Sequence, residues 1–324
     1  MSTPGSERQY TGKATDFYVA SPDVADKVNI AVALDRPILV EGEPGCGKTM
    51  LAYSYAKEMG LGPPVKIAVK STSRAQDLLY RVNALRRLQD AQSPNNQRAQ
   101  FVYPYLSLGP LGGAINEGRR TVVLIDEVDK ADIDFPNDLL DVLDDFSFRI
   151  EDLPEEEEAL CLQEKGFGRR IAVGEGGERP VVFITSNREK RLPEPFLRRC
   201  IYIRLRFPET AGELTDIVLK NMKETVVQSN RALLDAAVAA FNRVRGAAVS
   251  GGAQKPPTTS ELIDWVKILY LRGVEAEAVV GEEKRDEQEK KPGGGTLLPP
   301  YWEMLFKNMT DLDAHKALAE ARQK

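Results

Sequence analysis

The sequence predicts an α/β fold: a central parallel sheet flanked by helices, followed by a smaller helical domain. Three observations carry that expectation. The stretch Gly42-Glu43-Pro44-Gly45-Cys46-Gly47-Lys48-Thr49 is a glycine-rich loop between an apolar run at 37–40 and a helical pattern at 50–57, the order strand, loop, helix. Two further apolar runs, 121–125 and 180–184, end in polar side chains, as central parallel strands do when their C-terminal tips face a ligand. Beyond Pro208 the texture changes to helical patterns at 211–224, 232–245 and 259–272.

The opening residues, 1–15, are polar with Pro4, Gly5 and Gly12, and are expected to form a flexible arm. Ser21-Pro22-Asp23 then supplies an N-cap, a proline at the first helical position and an early acid, ahead of Val24, Val28, Ala31 and Val32 at helical spacing. That helix leads into the loop at 42–49, which fits GxxxxGK[ST]. Glycines at 42, 45 and 47 let successive N–H groups point at one anion, and the positive end of the helix that Met50 continues adds a favourable field. Lys48 is placed to reach the β- and γ-phosphates of a nucleotide, and the Thr49 hydroxyl is a hard oxygen ligand for Mg²⁺. A glycine-rich turn that fits the pattern by chance is the alternative, and the correct flanks on both sides argue against it. Cys46 lies inside the loop, near Lys48 and a helix N-terminus, which should favour its thiolate; an inert small residue is the alternative reading.

Residues 65–69 alternate like a strand, and 71–92 carry a helical period through Leu78, Leu79, Val82, Leu85 and Leu88. Arginines 74, 81, 86 and 87 read as a solvated or intersubunit face rather than a substrate site. Residues 93–96 break the pattern, and 101–113, aromatic and then glycine-rich, yield no functional reading.

The run at 121–125 ends in Asp126 and Glu127. Asp126 would hold the Mg²⁺ shell, directly or through water, while Glu127 would polarise the water that attacks the γ-phosphate. Residues 148–151 and 170–173 are expected to pair as hairpin arms around the glutamate run at 155–158, read as solvated loop. The strand at 180–186 delivers Asn187, whose amide can bond both the attacking water and a γ-phosphate oxygen. A short helix through Arg198 and Arg199 enters an alternating strand at 201–205. Residues 275–297 are charged and glycine-rich, expected to be a mobile insertion, and Tyr301, Trp302, Leu305 and Phe306 restore an apolar face.

A chain of 324 residues is comfortable for two domains, and 42% hydrophobic with 29% charged residues is ordinary for a soluble protein. No apolar run is long enough to span a bilayer and the first residues show no signal-peptide core, so a cytoplasmic location is expected. Three cysteines without CxxC spacing and a single histidine, His315, leave little material for a zinc site or a His-based triad. A net charge of −5 argues against a nucleic-acid footprint.

Together the loop, Asp126-Glu127, Asn187, the arginine pair and the helical C-terminal region resemble the AAA+ ATPases of the P-loop NTPase superfamily, over about residues 16–275. Within that superfamily the chain looks most like the MoxR group, on residues 131–140, the hairpin-like insertion before Asn187, and residues 192–199. The resemblance implies a nucleotide-binding domain over 16–208 and a helical lid over 209–324. It implies ATP and Mg²⁺ as ligands, Lys48 and Thr49 as Walker A, Asp126 and Glu127 as Walker B, and Asn187 as sensor 1. Arg199 would be the arginine finger offered to a neighbouring subunit, with Arg198 as the alternative. It further implies a homo-oligomeric ring, usually a hexamer, and a chaperone-like role toward a protein client, exerted with a von Willebrand factor A domain partner. One departure stands out: MoxR-like proteins commonly carry a sensor 2 arginine near the penultimate lid helix, and residues 256–262 contain none; Lys255 is the nearest basic residue. Two other functions use the same core, an ATP-driven nucleic-acid motor and a P-loop kinase. The acidic balance counts against the first, and the second leaves Asn187, Arg199 and the helical region without a task.

Overall fold

In the computed structural model, residues 9–15, 17–92, 97–208, 210–222, 230–280 and 298–321 are described. Among them are the strands β1 (Ile38–Gly42), β2 (Val65–Ala68), β3 (Tyr80–Val82), β4 (Leu106–Leu108), β5 (Val122–Asp126), β6 (Ser147–Arg149), β7 (Arg170–Ala172), β8 (Val181–Ser186) and β9 (Ile201–Leu205). Five of them form one sheet in the order β2-β5-β8-β1-β9, with every pairing parallel. Every residue of β1, β5 and β8 is buried, which is why these runs are continuously apolar rather than alternating. The pairings Ala68↔Asp126, Ile125↔Ile184 and Glu41↔Ser186 bring the ends of β5, β8 and β1 to the same edge. Parallel pairing thus gathers three polar tips that lie far apart in sequence.

The chain divides into two compact units. The first takes in Ala20–Gly42 and Gly47–Leu205 with the N-terminal arm, and its core surrounds the sheet with Leu39, Val123, Ile125, Val182, Ile184 and Phe196. The second takes in Arg206–Lys324 together with 16–19 and 43–46. It is built from helices Ala211–Asn221, Arg231–Ser250, Thr259–Leu271, Ala276–Val280 and Met309–Ala321. Capping boxes start two of them, Thr210 with Glu213 and Thr258 with Glu261. Their core holds Leu214, Phe241, Trp265 and, from the segment after the insertion, Trp302, Leu305 and Phe306. The first residues of the expected insertion are helical, Ala276–Val280, and residues 281–297 lie outside the described ones.

Three local expectations are corrected. Residues 71–92 are not one helix: a turn of helix, Gln76–Leu79, gives way to β3, and a second helix, Ala84–Ala91, begins under an Asn83 cap. The interruption is made by β4, which pairs antiparallel with β3, and the Leu79 carbonyl accepts the Gly109 N–H at 2.8 Å. Gly112 permits that approach, since a Cβ there would lie 2.0 Å from the Leu79 oxygen. The expected hairpin is present as β6 paired with β7, but the glutamates between them are not loop. Glu155–Glu157 form a 3-10 turn and Glu158 opens helix Glu158–Lys165; Glu157 is buried, its Oε2 accepting the N–H groups of Val102 at 2.7 Å and Tyr103 at 2.9 Å. The described part of the arm, 9–15, is anchored. Tyr10 is buried with its hydroxyl on Ser54 at 2.9 Å, and the Glu58 carboxylate accepts N–H groups from Thr11, Gly12 and Ala14.

Candidate active site

The glycine-rich loop leaves β1 at Gly42 and enters helix Lys48–Glu58. Gly45 and Gly47 both have positive φ, 75° and 91°, a region in which a side chain is strained, so the turn depends on glycine there. Lys48 is buried and its Nζ donates to the Gly42 carbonyl at 2.8 Å, which folds the ammonium over the loop. The first N–H groups of a helix have no partners from within the helix, and such a site can receive an anion. Pro44, Cys46 and Met50 flank that site without a charged group, and Met50 is 37% exposed.

Asp126, at the tip of β5, lies across from the loop. Its Oδ1 accepts the Thr49 hydroxyl at 3.1 Å and the Thr185 hydroxyl at 2.6 Å, and its Oδ2 pairs with the Lys66 ammonium at 2.7 Å. Burial pushes the Asp126 carboxyl up, but Lys66 and the two hydroxyls more than offset it and hold the group below the usual carboxylate range. A hydroxyl and a carboxylate oxygen this close make the hard, partial donor set that Mg²⁺ takes alongside phosphate and water, and Thr49 and Asp126 fit that ion. Among the described residues no three His, Cys, Asp or Glu side chains gather into a denser metal cluster.

Glu127 is left-handed, with φ 62°, and its N–H donates to the Thr185 hydroxyl at 2.9 Å. Its carboxylate therefore leaves the β5 direction; Oε1 accepts the Asn187 amide at 3.3 Å and Oε2 pairs with Lys130 at 2.5 Å. The Lys130 ammonium is pushed up chiefly by that bond. Lys48, Thr49, Asp126, Glu127 and Asn187 are thus brought to one strand edge, a phosphate cradle facing an acid pair. The sequence profile described as "AAA domain (dynein-related subfamily)" matches residues 37–200, more than half of the chain. The chain belongs to that AAA family.

Among curated proteins none matches this AAA domain chain. Two mutants of RuvB from Thermotoga maritima are similar in structure. One has 13% identity and a TM-score of 0.39, covering 77% of this chain and 70% of its own. The other has 14% identity and a TM-score of 0.38, covering 79% and 71%.

Four side chains of the AAA site gave no sequence signal of a role. Thr185 is fully buried and uses one hydroxyl twice, donating to Asp126 and accepting from Glu127. Lys66 and Lys130 each neutralise one of the two acids. Arg188, directly after Asn187 and left-handed at φ 64°, pairs through Nε with Glu41 at 2.6 Å, and Tyr202 bonds both partners. Glu41 precedes Gly42, so this triad ties the tip of β8 to the strand that launches the loop. In the second unit Glu43 pairs with Arg245 at 2.6 Å, and Arg245 lies 3.5 Å from the centre of the Phe207 ring. Arg245 rather than Lys255 is the basic side chain beside the loop residues of that unit; it comes from helix Arg231–Ser250, not from the segment in which an arginine is expected. Arg199 is not drawn into the site. It ends helix Glu194–Arg199, bonds Asp144 through Nε and the Pro195 carbonyl at 3.3 Å, and no described contact joins it to Lys48, Asp126, Glu127 or Asn187. Arg198 is 76% exposed and pairs with Glu194.

Proposed function

We infer that this AAA protein is a Mg²⁺-dependent ATPase of the MoxR type, assembled into a homo-oligomeric ring, that remodels or activates partner proteins. The observation that carries the reading is the Glu127 carboxylate held beside the Asn187 amide and turned away from the Asp126–Thr49 pair. It separates the two tasks the hydrolysis needs. Thr49 and Asp126 would hold the metal, and Lys48 with the loop N–H groups would hold the β- and γ-phosphates. Bound Mg²⁺ would neutralise charge on the phosphate oxygens. Glu127 takes the proton of the attacking water, and Asn187 orients that water against the γ-phosphate. Lys130 must release Glu127 for this, because a carboxylate committed to an ammonium is a poor proton acceptor. The von Willebrand factor A domain partner and protein client follow from the MoxR resemblance.

The test is Glu127→Gln, which keeps shape and hydrogen bonding and removes the base. ATP binding in the presence of Mg²⁺ is expected to stay near that of the wild type while turnover falls by about 100-fold or more. Hydrolysis close to the wild-type rate would rule out the assignment.

A further inference from the structure

Asp129 takes no part in the chemistry just described, yet it is 2% exposed and lies in the turn Val128–Lys130 that follows Glu127. Its Oδ2 accepts two backbone N–H groups from the loop after β8, Asn187 at 3.0 Å and Glu189 at 2.8 Å. Its Oδ1, equally buried, has no hydrogen-bond partner among the described residues. A carboxylate so far from water is costly unless donors converge on it. Here the donors are supplied by the left-handed residue between them: Arg188, at φ 64°, turns the Glu189 N–H back toward the oxygen that Asn187 already reaches. Two N–H groups that flank a left-handed residue form a concavity suited to an anion, and Asp129 fills it from within the protein.

The loop is therefore held at two points. Asp129 holds its backbone to the turn that carries Glu127, and the Arg188 guanidinium holds it to Glu41 on β1. Between those points the Asn187 amide stands 3.3 Å from the Glu127 carboxylate. We propose that Asp129 is a positioning residue for ATP hydrolysis, clamping the loop of Asn187 to the turn of Glu127 so that the two side chains that direct the water keep a fixed separation. The proposal rests on the reading of Glu127 and Asn187 given above.

A side chain that merely satisfied two buried amides would affect folding, and a clamp acts through Asn187. Asp129→Asn separates charge from geometry: its oxygen can take the place of Oδ2, and its NH₂ falls where Oδ1 has no partner, so both accepted bonds survive. Asp129→Ala loses both. The experiment measures turnover at saturating ATP, affinity for a fluorescent ATP analogue with Mg²⁺ chelated, and amide hydrogen exchange at residues 187 and 189, on the full chain. For Asp129→Ala, turnover is expected to fall about tenfold or more, with analogue affinity within about threefold of wild type and faster exchange at both amides. Asp129→Asn should stay within about threefold on all three readouts. Adding Asp129→Ala to Asn187→Ala should cost no more than about twofold beyond Asn187→Ala alone, because residues that act as a unit are not additive.

Wild-type turnover in Asp129→Ala, equal damage in Asp129→Asn, or fully additive losses would each overturn the clamp. Should Asp129→Ala fail to fold, Asp129→Ser takes its place, since a hydroxyl on a shorter stem cannot reach both amides. A wild-type chain that binds ATP without hydrolysing it would sink the ATPase reading, and exchange then decides the clamp alone. Protection lost in Asp129→Ala and kept in Asp129→Asn upholds it, and unchanged protection in Asp129→Ala overturns it.

Discussion

Cys46 and the two other cysteines of the chain show how place decides the chemistry of one residue type. Cys161 and Cys200 are buried, and burial pushes both thiols up, Cys200 to about 12. They are protonated at neutral pH and shielded from reagents. Cys46 is partly exposed, in the turn between Gly45 and Gly47 that shapes the phosphate cradle. A bulky maleimide at one equivalent is expected to modify Cys46 before the others and to abolish nucleotide binding, and ATP added first should protect it. Peptide mass spectrometry with a binding assay reads both; a modified Cys46 with unchanged ATP binding would show that the thiol lies outside the cradle. Legibility at this scale follows the same logic of place. Lys48, Thr49, Asp126 and Asn187 could be singled out because a short local pattern marks each of them, the first two at the helix start after the glycine-rich loop and the other two at the ends of apolar strands. Thr185, Lys66 and Asp129 could not, because their tasks consist of contacts with residues far away in sequence, and nothing local marks a threonine inside an apolar run as the one that bonds the Asp126 carboxylate and the Glu127 N–H.

Secondary elements divide along the same line. β1, β5 and β8 are legible as apolar runs because both of their faces are covered, and the edge strands β2 and β9 as alternating ones because one face is exposed. The leucines of 71–92 have a helical period that the chain does not use: Leu78 and Leu79 are buried, whereas Leu85 is 68% exposed and Leu88 59%. Pairing with β4, a partner distant in sequence, overrides local preference there. The N-terminal arm gave no periodic signal, and besides buried Tyr10 it is anchored by one carboxylate, Glu58, on the helix after the loop. Burial pushes the Glu58 carboxyl up, but hydrogen bonds from Thr11, Ala14 and Gly12 outweigh it and leave the group below its usual value. A group whose folded pKa is depressed stabilises the fold above its unfolded pKa, about 4.3 for glutamate, and loses that contribution as pH falls through the folded value. Glu58→Gln points an NH₂ at some of those donors and should cost about 2 kcal/mol at neutral pH. The difference in Tm between wild type and Glu58→Gln is expected to be constant above about pH 5 and to shrink below about pH 4. A difference that is flat across that range would mean the carboxylate charge does not hold the arm.

At the scale of the molecule, the proposed active site as described in one chain joins Glu127, Asn187 and the glycine-rich loop, and no described contact brings an arginine of helix Glu194–Arg199 to them. Arg199 is held on its own chain's surface by Asp144, and Arg36 grips the Arg198 and Arg199 carbonyls from below, so the helix end is fixed while the guanidinium stays 33% exposed. In the proposed ring that end would meet the neighbour's loop, where a guanidinium stabilises charge building on the γ-phosphate. Each site would then be assembled from two chains. Arg199→Ala subunits keep Glu127, and Glu127→Gln subunits keep Arg199, so a ring of either alone should be nearly inactive for opposite reasons. In a head-to-tail ring assembled at random from equal amounts, roughly a quarter of interfaces pair an intact Glu127 with an intact neighbouring Arg199. Mixing the two inactive variants, with subunit exchange shown independently, is therefore expected to restore about a quarter of wild-type turnover if interfaces act independently. No recovery despite proven exchange would confine Arg199 to its own subunit, or pass the task to Arg198. An Arg199→Ala chain that hydrolyses normally would leave Arg199 a structural role alone, a surface ion pair with Asp144 and a bond to the Pro195 carbonyl, and such exposed pairs contribute little to stability.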